Sequence, residues 1–366
     1  MTARIKSGQR PPANDAAVLI IAGGRGTRFW PLSRGNRPKP LFSLDGRTSL
    51  LSETVARART LTDLERVFVL IASGQERAFR AALRGLIPAR NILVEPQARG
   101  TTVAIAYGAA LIERRLGAAT IAVMPADHLI SPVAAFERTL KSAIALARAR
   151  GALVIVGVEP TRVEPGFGHI KMGRRAGAGF EVERFVEKPP PAIAAKMVRS
   201  RQFLWNAGMF VIGTRTLDDE LRAHCPALAA AMEKIAAAPQ KCAALYRRLD
   251  FDAFDREIVE KSSRVLAVRA RFRWHDVGSW EGLWEAMRGQ ARVHDHDQNV
   301  LTGNAIALEA KRVFAHAHGR LMVLMGVDDL VVVDSGDAIL IARRSRSQEL
   351  RLVTDELKRR GLERYL

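Results

Sequence analysis

The chain has 366 residues, 48% of them hydrophobic, enough for one large domain and a smaller one. It has no apolar run of about 18 residues, which argues against a membrane span. Lysine and arginine exceed the acids by 57 to 38, a formal charge of +19. The basic residues are nevertheless dispersed and aromatics make up only 6%, so no nucleic-acid surface with stacking side chains is expected.

Residues 1–15 are polar, with Pro11 and Pro12, and read as a loose leader and not as a secretory signal. Val18-Leu19-Ile20-Ile21 follows as an apolar run expected to form a buried strand. Directly after it come Ala22-Gly23-Gly24-Arg25-Gly26-Thr27-Arg28, then Pro31 and Pro38-Lys39-Pro40. Glycines at a strand end let backbone amides approach phosphate oxygens with no Cβ in the way. Arg28 and Lys39 add permanent positive charge. The loop is not a Walker loop, since no Gly-Lys-Ser/Thr follows, and the third glycine position of a dinucleotide fingerprint is Phe29. An ordinary tight strand-to-helix turn is the bland alternative.

Apolar strands at 67–71, 92–94, 121–124 and 153–156 alternate with helical patterns at 50–60, 75–86, 102–116 and 134–150. Such alternation predicts a sheet covered on both faces, with ligands outside the carboxyl ends of its strands. After Gly157 shorter strands are expected at 166–171, 182–186 and 209–212, with a helix at 192–199. A long helical stretch at about 217–249 carries Cys225 and Cys242, the chain's two cysteines. Neither a disulfide framework nor a zinc site is expected from them, and a reducing cytoplasm fits. The segment His294-Asp295-His296-Asp297-Gln298-Asn299 reads as a solvated linker in preference to a metal site. Short strands at 305–308, 313–314, 321–324, 330–333 and 338–341 then suggest a small β-solenoid or sandwich, closed by a helix at 348–360. His316 and His318 alternate within one strand and read as surface residues. The expected fold is therefore α/β. A Rossmann-like, mixed but mostly parallel sheet with helices on both faces occupies 16–290, and a small β-helix-like C-terminal domain occupies 291–366.

Four further segments carry chemistry. Met124-Pro125-Ala126-Asp127-His128 closes a strand, where Asp127 suits either a magnesium ligand or a helix N-cap. Trp274-His275-Asp276-Val277-Gly278-Ser279-Trp280 holds a second carboxylate, although it also reads as a packed corner. Glu187-Lys188-Pro189, taken alone, is more often a solvated surface pair. Asn206, in Trp205-Asn206-Ala207-Gly208-Met209-Phe210, is either a ligand for hydroxyl groups or a strand-entry turn residue.

The order of these motifs over roughly residues 18 to 285 resembles the sugar-phosphate nucleotidyltransferases. The run Phe29-Trp30-Pro31-Leu32-Ser33-Arg34 looks like their mannose-1-phosphate guanylyltransferase branch, of the short single-function type. The resemblance to the short type implies that no cupin-type isomerase domain, as in the bifunctional enzymes, is expected within these 366 residues. The resemblance implies transfer of GMP from GTP to α-D-mannose 1-phosphate, with release of pyrophosphate and help from Mg2+ on Asp127 and Asp276. It implies nucleotide contacts from Ala22, Gly23, Gly24, Gly26, Thr27, Arg99 and Asp127. Arg28, Lys39 and Lys188 would serve the leaving, α and incoming phosphates, and Gly168, Glu187 and Asn206 the sugar. Departures from the family pattern are Pro40, Gly100, Phe167 and His169, so purine selection would rest on backbone groups near Ala22 and Gly23. The expected partners are GTP and mannose 1-phosphate, with no nucleic acid and no membrane, and the tail strands could support a homodimer. Rival readings are another sugar-1-phosphate nucleotidyltransferase and a non-catalytic regulator that binds nucleotide sugars.

Overall fold

The structure, a computed structural model, describes residues 16–24, 26–35, 37–43, 48–238, 242–288 and 297–366. The polar leader, Arg25 and residues 294–296 of the polar segment lie outside the described residues. So does the side chain of Thr27.

The first half alternates strand and helix as its apolar runs predict. In chain order it comprises β1 (Ala16–Ile21), α1 (Leu50–Ala58), β2 (Val67–Ala72), α2 (Glu76–Ala82), β3 (Ile92–Glu95), α3 (Thr101–Leu116) and β4 (Thr120–Pro125). The short β5 (Leu129–Ser131), α4 (Val133–Arg150) and β6 (Leu153–Val158) follow. Next come the hairpin β7 (His169–Ala176) and β8 (Gly179–Val186), then α5 (Pro191–Ser200) and β9 (Phe203–Gly213). The helices α6 (Thr214–His224), α7 (Pro226–Ala237) and α8 (Cys242–Tyr246) lead to β10 (Val265–Arg269), β11 (Arg273–His275) and α9 (Trp280–Met287).

Nine strands form one sheet in the order β3-β2-β1-β4-β9-β6-β10-β8-β7. β1, β2, β3 and β4 pair in parallel, as do β6 and β10, while β9 runs antiparallel to both β4 and β6. Alternate residues of β1 serve opposite faces. Val18 and Ile20 pack with Leu51, Phe79 and Phe136 on one side, while Leu19 packs with Val103, Ile112 and Leu228 on the other. Both faces of the strand are thus apolar, the pattern of a doubly covered sheet.

Two expectations for the large domain need correction. The strand expected at 209–212 starts six residues earlier, at Phe203, so Asn206 sits inside β9 and is no strand-entry turn residue. The helical stretch expected at 217–249 is broken, because Pro226 lacks an amide hydrogen and starts a new helix after buried Cys225.

The tail continues as β12 (Val300–Thr302), β13 (Ala305–Leu308), β14 (Phe314–His316), β15 (Met322–Met325), β16 (Leu330–Asp334) and β17 (Ile339–Arg343), closed by α10 (Arg351–Arg359). β12, β14 and β16 stack in parallel, as do β13 and β15, which is the repeat of a β-helix. The strand expected to hold both histidines ends at His316, which is half-buried and bonded through Nδ1 to Thr302 Oγ1 at 2.9 Å. His318 lies beyond it and is exposed. Asn299 is buried, joins Ala310 and Val313 through its amide, and so belongs to the tail's first turn and not to a solvated linker.

Candidate active site

The carboxyl ends of β1, β3 and β4 meet on one edge of the sheet. The amide of Ala22 donates to Leu70 O at 2.8 Å and that of Ala126 to Ile21 O at 3.1 Å. The glycine loop and the Pro-Ala-Asp-His turn therefore leave adjacent strands side by side. Gly26 has φ +58°, and a Cβ there would stand 2.7 Å from both Lys39 Cβ and Ser33 Oγ. Only glycine fits, on backbone and on space. Among the described residues, and leaving out chain neighbours, nothing lies within 4 Å of a Cβ built on Gly24, and a Cβ on Gly23 meets only Glu95 Oε2, at 3.5 Å. Packing within the protein does not require these two glycines, which leaves their open side to a ligand.

Lys39 is 6% exposed and stands at the centre of the arrangement. Its ammonium donates to Asp127 Oδ2 at 2.7 Å and to the main-chain oxygen of Asp276 at 3.1 Å, and it lies over the Phe29 ring. Segments some 88 and 237 residues away in sequence thus converge on one cation. Asp127 caps no helix, since the next one starts at Val133. Its turn is held from α1, where buried Arg57 donates to Thr54 Oγ1 at 2.6 Å and to His128 O at 2.9 Å. Burial lowers the Arg57 pKa to about 10, so the side chain keeps its charge at neutral pH. His128 is pushed down to about 4 by burial and accepts from Trp274 Nε1 at 3.1 Å, which makes it a neutral prop. Val277, next to Asp276, has φ +49°, a costly conformation for a β-branched residue. A Cβ on Gly278 would stand 2.6 Å from Asp276 Oδ2 and 3.7 Å from Arg28 Nη1, so glycine lets that carboxylate and Arg28 lie close together.

The sugar-side candidates converge equally. A Cβ on Gly168 would stand 2.7 Å from Glu187 Oε2 and 3.2 Å from Asn206 Cβ. The Asn206 amide nitrogen of the main chain donates to Gly168 O at 2.8 Å. The Glu187 carboxylate is only 7% exposed and sits 3.0 Å from the exposed Lys188 ammonium, so this is not a solvated pair. Lys188 takes φ +47°, a second strained backbone position at the site. Arg28, Gly168, Glu187, Lys188, Asn206 and Asp276 line one cavity of about 670 Å³.

Arg99 is directed elsewhere. Its Nη2 donates to Arg247 O at 2.7 Å and to Gln97 Oε1 at 3.2 Å. What that segment brings to the glycine loop is Glu95, which is buried and receives the Tyr246 hydroxyl at 2.7 Å. Burial raises the Glu95 pKa. Three of the departures from the family pattern have local causes. Gly100 has φ +87°, and a Cβ there would lie 2.5 Å from Phe251 O, so the asparagine expected at that place does not fit. Phe167 packs edge-on against Trp205 and Trp274, and His169 is fully buried with Nδ1 on Phe167 O at 3.0 Å.

Two other residues escaped the sequence reading. Asp255, on the π-helical turn Asp255–Val259, accepts from Asn206 Nδ2 at 2.5 Å. Gln348, from the tail, accepts from Arg28 Nη1 at 3.2 Å. Neither has a local motif around it, and only tertiary proximity reveals them.

A divalent cation is implied by the class of site. Among the described residues no group of three or more His, Cys, Asp or Glu side chains could hold a metal. Asp127 and Asp276, on separate segments that meet at Lys39, are nevertheless hard-oxygen donors of the kind a divalent cation such as Mg2+ takes. This ion prefers hard oxygen and takes one or two protein carboxylates, with substrate phosphates and water completing the shell.

Residues 17–292 match the nucleotidyl transferase family, and residues 303–357 match the MannoseP isomerase/GMP-like beta-helix domain. The chain belongs to the nucleotidyl transferase family, a family of enzymes. The chain is 33% identical to a mannose-1-phosphate guanylyltransferase of Escherichia coli K12, over 94% of its own length and 73% of that protein's. It is 36% identical to the xanthan biosynthesis protein XanB of Xanthomonas campestris pv. campestris, over 95% and 74%. A Thermus thermophilus structure described as a mannose-1-phosphate geranyltransferase superimposes with a TM-score of 0.85 at 33% identity, over 94% of this chain and 99% of that one.

Proposed function

We propose that the enzyme transfers GMP from GTP to α-D-mannose 1-phosphate, releasing pyrophosphate. The observation that carries the reading is the convergence of Asp127 and Asp276 on Lys39 beside the glycine loop. The attacking oxygen belongs to a phosphate that is already ionised, so no protein nucleophile is required. The protein's task is alignment and charge neutralisation. Lys188, at the mouth of the cavity with Glu187, receives the incoming sugar phosphate. Glu187, Gly168 and Asn206 orient its hydroxyl groups. Lys39 holds the α-phosphate, and Arg28 leaves Gln348 to meet the departing pyrophosphate, aided by loop amides around Gly24 to Thr27. When bound at Asp127 and Asp276, Mg2+ would neutralise phosphate charge.

Glu95 supports a guanine base. With Oε1 occupied by Tyr246, its Oε2 faces Gly23, where a carboxylate accepts from guanine N1–H and its exocyclic amine and repels the N1 lone pair of adenine. Arg99 serves the nucleotide only after leaving Arg247 O. Two free cysteines fit a cytoplasmic setting, and among the described residues no helix is long and apolar enough to cross a membrane.

The test is pyrophosphate release by the purified protein across nucleoside triphosphates and sugar 1-phosphates, with Mg2+. The expected result is a preference for GTP with mannose 1-phosphate. Faster turnover with glucose 1-phosphate or with another nucleotide would assign a different transferase, and tight binding of GDP-mannose without turnover would make the protein a regulator.

A further inference from the structure

The helical turn behind the sugar pocket is tied to both sugar-side residues. Asp255 accepts from Asn206 Nδ2 at 2.5 Å, and Glu260, one turn on, accepts from the Glu187 main-chain amide at 2.8 Å. The turn is π-helical, a form often found at functional positions. Asn206 Oδ1 in turn accepts the Gly208 amide at 3.0 Å. Between an acidic acceptor and a main-chain donor the Asn206 amide has one orientation, and one N–H and one lone pair remain for a ligand. Asp255 itself lines the cavity beside Glu187 and Lys188.

We propose that Asp255 is a specificity residue for the incoming sugar phosphate, which fixes Asn206 and presents its own carboxyl to a hexose hydroxyl next to Glu187. The inference rests on the sugar 1-phosphate reading above. A hydroxyl bound by two acids and an oriented amide is read as both donor and acceptor, which a lone Asn206 cannot enforce. Burial, and then the neighbouring Glu187 charge, lift the Asp255 pKa to about 7, while Asn206 and Lys188 oppose the shift. Its surroundings are Glu187 and Lys188 from the end of β8, Asn206 from β9, and Asp252, Arg256, Glu257 and Glu260 from its own segment. The carboxyl is thus neutral at mildly acidic pH and a charged acceptor above neutrality.

The experiment compares wild type with Asp255→Asn and Asp255→Ala, measuring KM for mannose 1-phosphate and for GTP from pH 6 to 8.5. Asparagine keeps the shape and can still accept from Asn206, so it imitates the neutral acid. For Asp255→Asn the sugar-phosphate KM should match wild type near pH 6 and exceed it about tenfold at pH 8.5, the worth of one hydrogen bond to a charged group. The KM for GTP should stay within about twofold. Asp255→Ala, which also frees Asn206, should raise the sugar-phosphate KM at every pH. An Asp255→Asn enzyme whose sugar-phosphate KM tracks wild type at all pH values overturns the inference and leaves the transferase reading standing. A wild type that turns over no sugar 1-phosphate overturns both.

Discussion

Lys39 shows how a single side chain organises the site. A buried ammonium is costly unless it is paired, and here its partners are a carboxylate and a carbonyl from separate segments. Asp127→Asn keeps the shape of that contact but removes its charge. Turnover should fall by about 10²-fold or more, and the melting temperature should fall as well, because the buried Lys39 ammonium loses its counter-charge. A well-folded variant with near-normal pyrophosphate release would remove Asp127 from the mechanism. Asp255 gives the opposite electrostatic case. Its folded pKa of about 7 lies above the unfolded value of about 3.8, so the native state holds a proton that the unfolded state releases between those values. Its contribution is fully present below about pH 3.8 and is lost as pH rises through 7. Asp255→Asn should therefore melt above wild type at pH 8, with the gap narrowing as pH is lowered to 5. Thermal melts at several pH values measure this, and a gap that widens on acidification would contradict the assignment.

At the scale of elements, the site is a set of strand ends, each followed by a turn with its own requirement. The loop after β1 depends on Gly26, where left-handed backbone and contact with Lys39 and Ser33 coincide. Gly26→Ala should cost about 1–2 kcal/mol for the backbone alone. Because the clash is with Lys39, it should also raise the KM for GTP more than that for mannose 1-phosphate. Equal effects on the two substrates would mean that the loop does not carry the nucleotide. The strand-and-helix alternation of the first half was legible because strands apolar on both faces and amphipathic helices differ in length and period. The direction of β9 was not legible, since an apolar strand looks the same whether its neighbours are parallel or antiparallel. Asp127, Glu187 and Asp276 stood out because each sits in a distinctive local string. Asp255 and Arg57 did not, because their roles come from contacts made across the fold at Asn206 and His128.

At the scale of the molecule, the tail is packed into the same core as the signature loop. Phe29 and Trp30, beside Arg28, share a buried cluster with Trp280, Trp284, Phe314, Val331 and Leu340. Trp280 bridges the halves, with its ring 4.9 Å from Phe29 and 5.2 Å from Phe314. Trp30 Nε1 donates to Tyr365 O at 2.9 Å, and Arg34 forks onto Asp337 at 2.6 and 2.7 Å. The Arg34 side chain is 10% exposed and its pairing with Asp337 is bidentate, so this contact adds to the docking alongside the aromatic core. A tail joined in this way should unfold with the large domain. Heating should give one cooperative transition, and Phe314→Ala should lower its midpoint by removing roughly 3–5 kcal/mol of packing. The same variant, assayed well below its melting temperature, should lose kcat/KM for GTP, because the Phe29 ring lies under Lys39 and next to Arg28. Calorimetry that resolves two transitions, with Phe314→Ala moving only one of them and leaving kcat/KM untouched, would show that the tail is an independent appendage and that the loop keeps its shape without it.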